Sequence, residues 1–214
     1  MYKKKPFFIV FEGIEGCGKS FQSQKLFYKL KKNKIDTILT REPGGTKSSE
    51  LIRNLILKDY FSKNTKEKFD KYTDTLLYLA ARNEHVKTKI LPALKKKIVV
   101  ICDRFTDSTF AYQVFGKGIK AKFINDIQKT ILGSLKPNLT FVLKVSSQSS
   151  KKRLLKRKSK NRYDNFTKSF YDNVQKSFLR LARNKKNYYI LESSKNDNQL
   201  EKKILEITFK YLKI

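Results

Sequence analysis

Short apolar runs alternate with longer stretches whose apolar residues recur every three or four positions, and this alternation organises the chain. Phe7 to Glu12 (FFIVFE) reads as a buried strand, and Lys19 to Lys32 as a helix with Leu26, Phe27 and Leu30 on one face. Ile35 to Thr40 is a second short strand that runs into a breaker-rich loop, Arg41-Glu42-Pro43-Gly44-Gly45. Ser48 to Leu57 and Tyr72 to Lys96 are expected to be helical, with Pro92 kinking or dividing the second stretch. Ile98 to Cys102 (IVVIC) is apolar throughout, as strands at a sheet centre are. Phe123 to Leu132 predicts a helix, Leu139 to Val145 a strand, Tyr188 to Leu191 the last strand and Asn198 to Leu212 a closing helix. Strands alternating with helices predict an α/β fold: a five-stranded parallel sheet flanked by helices. With no internal repeat and no linker-like stretch, residues 1–214 are expected to form a single domain.

The junction between the first strand and the first helix carries the chemistry. Gly13-Ile14-Glu15-Gly16-Cys17-Gly18-Lys19-Ser20 satisfies G-x-x-x-x-G-K-[ST] in the strand-loop-helix setting that this motif needs. Glycines let backbone N–H groups converge on phosphate oxygens where a Cβ would obstruct them, and the helix terminus adds partial positive charge. Lys19 is expected at the β/γ-phosphates of ATP and the Ser20 hydroxyl on Mg²⁺. These residues are expected to bind ATP.

Composition changes this picture little. The 16 Phe and 11 Tyr suit a folded globule, and no apolar run approaches the ~18–20 residues of a membrane helix. Lys3-Lys4-Lys5 and the apolar residues after them have the order of a signal peptide, but the run is short and meets Glu12 at once. The protein is therefore expected to be cytoplasmic. Cys17, Cys102 and the lone His85 are too few for a zinc site or a disulfide framework, and each is read as structural. The net charge of +30 is carried by 40 Lys spread along the chain against 9 Arg, a bias that AT-rich coding would produce. It is read as a solvated background that attracts polyanions without specificity, so no specific nucleic-acid partner is expected.

Asp103-Arg104 follows the apolar strand directly, where parallel sheets keep their ligand-binding residues. An acid there can hold Mg²⁺ through water, and an arginine can fork onto a phosphate. With lysine so abundant, each arginine is a candidate for a contact that lysine cannot make. Arg41, Arg82 and Arg104 stand in motif-like settings, whereas Arg180 and Arg183 are expected on a helix as structural residues. The charge run Lys151 to Lys160 is either a solvated helix face or part of a phosphate-clamping lid, about 151–164, that contains Arg153, Arg157 and Arg162.

Taken together, the chain resembles bacterial thymidylate kinases over residues 7 to 190. The resemblance rests on Glu12-Gly13, Arg41-Glu42-Pro43-Gly44-Gly45-Thr46, Ala80-Ala81-Arg82, Asp103-Arg104-Phe105, Ser108-Thr109 and Tyr112-Gln113, in that order. It implies transfer of a phosphoryl group from ATP, with Mg²⁺, to dTMP, giving dTDP for dTTP biosynthesis, by a homodimer. It further implies that Arg41 and Arg104, with Pro43 and Ser108, border the acceptor, and that Tyr78 stacks on thymine. Arg82, Thr109 and Gln113 would read or position the base, Tyr112 would crowd the sugar C2′, and Glu15 would approach the sugar hydroxyl and the metal. Gly16 stands where some relatives carry a loop arginine, so Arg157 and Arg162 in the lid are expected to supply the catalytic cation, with Arg153 on ATP. Two departures stand out: Tyr78 replaces the commoner Phe, and in Ser159-Lys160-Asn161-Arg162-Tyr163-Asp164 one of the family's acids around Arg162 is the amide Asn161 and the other is the shorter Asp164. Two alternatives stay open, namely another nucleoside monophosphate or deoxynucleoside kinase, and a nucleic-acid-stimulated NTPase.

Overall fold

The structure, a computed structural model, describes residues 4–58, 68–156, 167–194 and 198–213. Strands β1 (Phe7–Glu12), β2 (Thr37–Arg41), β3 (Val99–Asp103), β4 (Leu139–Lys144) and β5 (Tyr188–Glu192) pair in parallel in the order β2-β3-β1-β4-β5. Alternate side chains of the central strands feed opposite faces, so both faces must be covered. Phe7, Ile9 and Phe11 pack with Leu26 and Leu30 of α1 (Lys19–Lys32), Val174 and Phe178 of α8 (Lys168–Ala182) and Ile204 of α9 (Asn198–Leu212). Phe8 and Val10 face the other way, onto Val86, Ile90, Leu94 and Phe105.

That second face is covered by α3 (Lys71–His85), a π-helical turn (Val86–Ile90) and α4 (Leu91–Lys95). The division expected at Pro92 falls earlier, at the π-turn. Pro92 itself sits in the first turn of α4, where its missing N–H is tolerated. Helix α2 (Lys47–Leu57) starts from a Thr46 cap that accepts from Ser49 N and packs along α3. A four-residue helix α5 (Thr106–Thr109) runs into a second π-turn (Phe110–Gly116), followed by α6 (Ala121–Leu132) and, after β4, α7 (Ser147–Leu155).

Two boundaries differ from expectation in a way that matters. Strand β2 extends through Arg41 and β3 through Asp103, because these residues pair with each other and Phe11 pairs with Asp103. The ends of β1, β2 and β3 therefore lie side by side, which brings the loops that follow them to one edge of the sheet. Arg180 lies on α8 as expected, but Arg183 is the first residue beyond that helix.

Candidate active site

The loop after β1 passes into α1 through Gly18, whose φ of 92° no side chain adopts at low cost. Among the described residues no side chain caps this helix, so its first N–H groups have no side-chain acceptor there. Gly13, Ile14 and Cys17 form the buried back of the loop, while Glu15, Gly16, Gly18, Lys19 and Ser20 line a cavity of about 480 Å³. Lys19 curls over the loop with Nζ 2.7 Å from Ile14 O. Ser20 Oγ donates to Asp103 Oδ2, and the buried Asp103 Oδ1 has no hydrogen-bond partner among the described residues.

Opposite the loop lies a set of arginines. Arg104 sits at φ 73°, held in that unusual backbone by its neighbours: its N–H donates to Phe11 O, and Glu12 accepts from Phe105 N and Ser108 N. The Arg104 guanidinium donates to Gly13 O (2.9 Å), Ser108 Oγ (3.0 Å) and Glu15 Oε1 (2.8 Å), and stacks over the Tyr112 ring. Tyr112 OH donates to Glu15 Oε2. Burial disfavours the Arg104 charge, but Tyr112, Glu15, Asp103 and Glu12 outweigh it and raise the guanidinium pKa.

Arg41 is exposed at the cavity rim and bonded to Glu50 at 3.1 Å. Arg53 of α2 lines the same cavity and donates to Pro43 O at 2.6 Å. Burial and then Arg41 push the Arg53 pKa down, so two neighbouring cations share a pocket that an anion would stabilise. Deeper in, Arg82 Nε donates to Glu42 Oε2 at 2.7 Å, Nη1 to Thr109 Oγ1 at 2.7 Å and Nη2 to Phe105 O at 2.9 Å. Tyr78, Pro43, Ser108 and Gln113 complete the wall, and the buried Gln113 Nε2 has no acceptor among the described residues.

Arg153 of α7 borders the cavity with its guanidinium on Gly16 O (3.1 Å) and Ser193 O (2.8 Å). Arg157, Arg162 and most of the expected lid lie outside the described residues. The remaining expected residues thus converge on one cavity, apart from the three in the loop's buried back. Sequence reasoning missed Arg53, which stands on a helix outside any recognised motif, although the scarcity of arginine could have singled it out. It also gave Glu42 no role and read His85 only as structural, and both are buried beside Arg82.

A glycine loop facing an arginine-lined wall across one cavity, on a parallel sheet ordered 2-3-1-4-5, defines a P-loop nucleotide kinase. A family model described as thymidylate kinase matches residues 11–204. A thymidylate kinase of Mycoplasma capricolum subsp. capricolum is 35% identical over 209 residues, covering 96% of each chain. One from the Wolbachia of Brugia malayi is 40% identical over 179 residues, covering 83% of this chain and 82% of the relative. The crystal structure of thymidylate kinase from Ehrlichia chaffeensis superposes with a TM-score of 0.74 at 29% identity, over 95% of this chain and 99% of that one. The chain belongs to the thymidylate kinase family. Among the described residues no helix is long and apolar enough to cross a membrane.

Proposed function

We propose that the chain transfers the γ-phosphoryl group of ATP to dTMP, in the cytoplasm, as a single P-loop domain that assembles into a homodimer. The observation that carries this reading is one cavity with two unlike walls. The wall on one side is a glycine loop suited to a triphosphate, and the other combines phosphate-binding guanidinium groups with hydrogen-bonding groups suited to a base. A monophosphate acceptor needs the charge compensation of Arg41, Arg53 and Arg104, whereas a neutral nucleoside does not.

In the reaction an oxygen of the dTMP phosphate attacks the γ-phosphorus of ATP. The bond from that phosphorus to the β–γ bridging oxygen breaks, and ADP leaves with the electron pair. Such transfer needs alignment and charge neutralisation more than covalent help from the protein. Backbone N–H groups from Gly13 to Ser20 hold the ATP phosphates, and Lys19 reaches the β/γ oxygens. Ser20 and Asp103 would hold Mg²⁺, and Asp103 Oδ1, without a partner among the described residues and beside the Ser20 hydroxyl, suits that ion. The metal, when bound, offsets charge on the transferred group.

Arg104, fixed by Glu15 and Ser108, and Arg41 grip the acceptor phosphate, with Arg53 and the Pro43 turn alongside. Tyr78 offers its face to thymine, while Arg82, Thr109 and Gln113 address the base edge. Tyr112, wedged against Phe170 and Phe178, cannot retreat from a 2′-hydroxyl and so favours deoxyribose. Arg153 serves the donor nucleotide, and Arg157 and Arg162 act as catalytic cations of the lid.

The homodimer reading has support in Leu51 and Leu55 on α2 and Leu76 on α3. All three are exposed on adjacent packed helices, Leu51 to 70%.

Steady-state kinetics of two variants tests the reading. Lys19→Ala is expected to lower kcat by about 10²–10³-fold. Arg104→Ala should raise the dTMP KM by about tenfold or more, with the ATP KM shifted by less than about twofold. Near-normal turnover without Lys19, or an unchanged dTMP KM without Arg104, would contradict the assignment.

A further inference from the structure

The lone histidine lies in the fold where a core residue has no need of a polar ring. His85 ends α3, is fully buried, and spends both ring nitrogens on polar partners: Nε2 is 2.6 Å from Thr40 Oγ1 and Nδ1 is 3.1 Å from Glu42 Oε1. The other Glu42 oxygen, Oε2, accepts from Arg82 Nε at 2.7 Å, with both side chains almost wholly enclosed. A chain of hydrogen bonds therefore runs Thr40–His85–Glu42–Arg82, from the strand β2 to the floor of the acceptor pocket.

Each link removes a freedom from the next. A buried carboxylate held at one oxygen can still swing about its side-chain bonds, whereas one held at both oxygens has a fixed plane. The fixed Glu42 plane in turn fixes the Arg82 guanidinium, together with Thr109 Oγ1 and Phe105 O. Nη2 also stands 2.7 Å from Glu42 Oε2, so of the five N–H donors an arginine carries, the one left without an acceptor among the described residues is on Nη1, on a side chain that lines the cavity. Burial opposes the Glu42 charge, yet Arg82 and His85 together bring its pKa below the ordinary value, so the carboxylate stays ionised between them. The π-turn Val86–Ile90 begins immediately after His85. From it Lys89 Nζ donates to Gly45 O at 2.7 Å, so the end of α3 and the π-turn together grip the loop that carries Glu42.

We infer that His85 is a positioning residue for acceptor recognition: acting through Glu42, it fixes the direction in which Arg82 presents its free N–H to the pyrimidine base. The inference rests on the reading of Arg82 as a base contact. It assigns the buried imidazole an effect on dTMP and none on ATP, which a role in packing alone does not predict.

The test is a double-mutant cycle read in the KM values of both substrates, with thermal melts of each variant. Arg82→Met alone should raise the dTMP KM by about 10–100-fold, the loss of charge-assisted hydrogen bonds. His85→Leu, which keeps bulk but no donor, should raise it by about fivefold with the ATP KM nearly unchanged. His85→Asn, which can still donate towards Glu42, should recover most of that loss. In the Arg82→Met background, His85→Leu should add less than about twofold, because its route of action is gone.

Should His85→Leu not fold, Thr40→Val removes the outermost bond of the chain and is expected to give a smaller effect with the same non-additivity. Additive effects, or an acceptor KM indifferent to His85, would overturn the positioning role while leaving Arg82 as a base contact. An unchanged dTMP KM in Arg82→Met would overturn both. Equal losses for dTMP and ATP in His85→Leu and in His85→Asn would reduce His85 to a packing residue.

Discussion

Glu12 closes β1 with its carboxylate wholly enclosed, accepting from Phe105 N, Ser108 N and Ser108 Oγ. Those donors favour the charged form, but burial and the nearby Asp107 outweigh them and push the pKa up to about 7. The folded-state value lies above the ordinary 4.5, so the folded protein binds this proton more tightly than the unfolded chain does. Stability from Glu12 is full below about pH 4.5 and is lost as pH rises through about 7, a change of roughly 3 kcal/mol. Asp107, also raised by burial, works in the same direction. Both backbone N–H groups donate to Oε1, so Glu12→Gln keeps the one oxygen that accepts them and cannot ionise. Urea unfolding at pH 5 and pH 8 should therefore show a smaller loss of stability in the variant than in the parent. An identical pH dependence in the two proteins would show that Glu12 is not the group responsible.

At the scale of elements, the glycine loop separates two demands that its sequence alone does not. Gly16 and Gly18 both have positive φ, at 71° and 92°. A Cβ on Gly18 would meet nothing within 4 Å, whereas one on Gly16 would lie 2.8 Å from Ser150 O in α7. Each Ala substitution carries the left-handed backbone penalty of about 1 kcal/mol, and Gly16→Ala carries a steric penalty besides. Gly16→Ala should therefore lower Tm more than Gly18→Ala; equal losses would mean that α7 gives way freely. The same contact explains why a loop arginine at this position is incompatible with α7 as it packs here.

Several elements could be read from the chain to the residue. FFIVFE, the helix from Lys19 to Lys32 and the closing helix declare themselves by periodicity, and their bounds agree with the structure. The π-turns do not, because an extra residue in a turn leaves the three-to-four spacing of apolar residues nearly intact. The short α5 was missed for a different reason: TDST is rich in residues that suit caps and turns. In the site, most cavity-lining residues stand in contiguous motifs and could be picked out from the chain. Arg53 and His85 lie outside those motifs, and Glu42, inside one, meets Arg82 and His85 only through contacts between distant segments that the packed fold brings together.

For the molecule as a whole, the +30 net charge is left over after every acid is counted, and several ion pairs among the described residues lie on the surface, where they contribute little. It adds nothing to the argument for substrate, which rests on the cavity. Assembly is a separate question. Leu51, Leu55 and Leu76 give α2 and α3 an apolar outer face, so the protein should sediment as a dimer. The double variant Leu51→Glu/Leu76→Glu should sediment as a monomer, since it would bury like charges against a second copy. A monomeric parent, or a variant that stays dimeric, would contradict that interface.

The central claim is that the arginine-lined half of the cavity takes dTMP. It is tested most directly by ADP release with ATP and Mg²⁺ across dTMP, dUMP, CMP, AMP, GMP and thymidine as acceptors. The account predicts the highest kcat/KM for dTMP and negligible turnover of thymidine, which lacks the phosphate that Arg41 and Arg104 would hold. Best turnover with any other acceptor would contradict it.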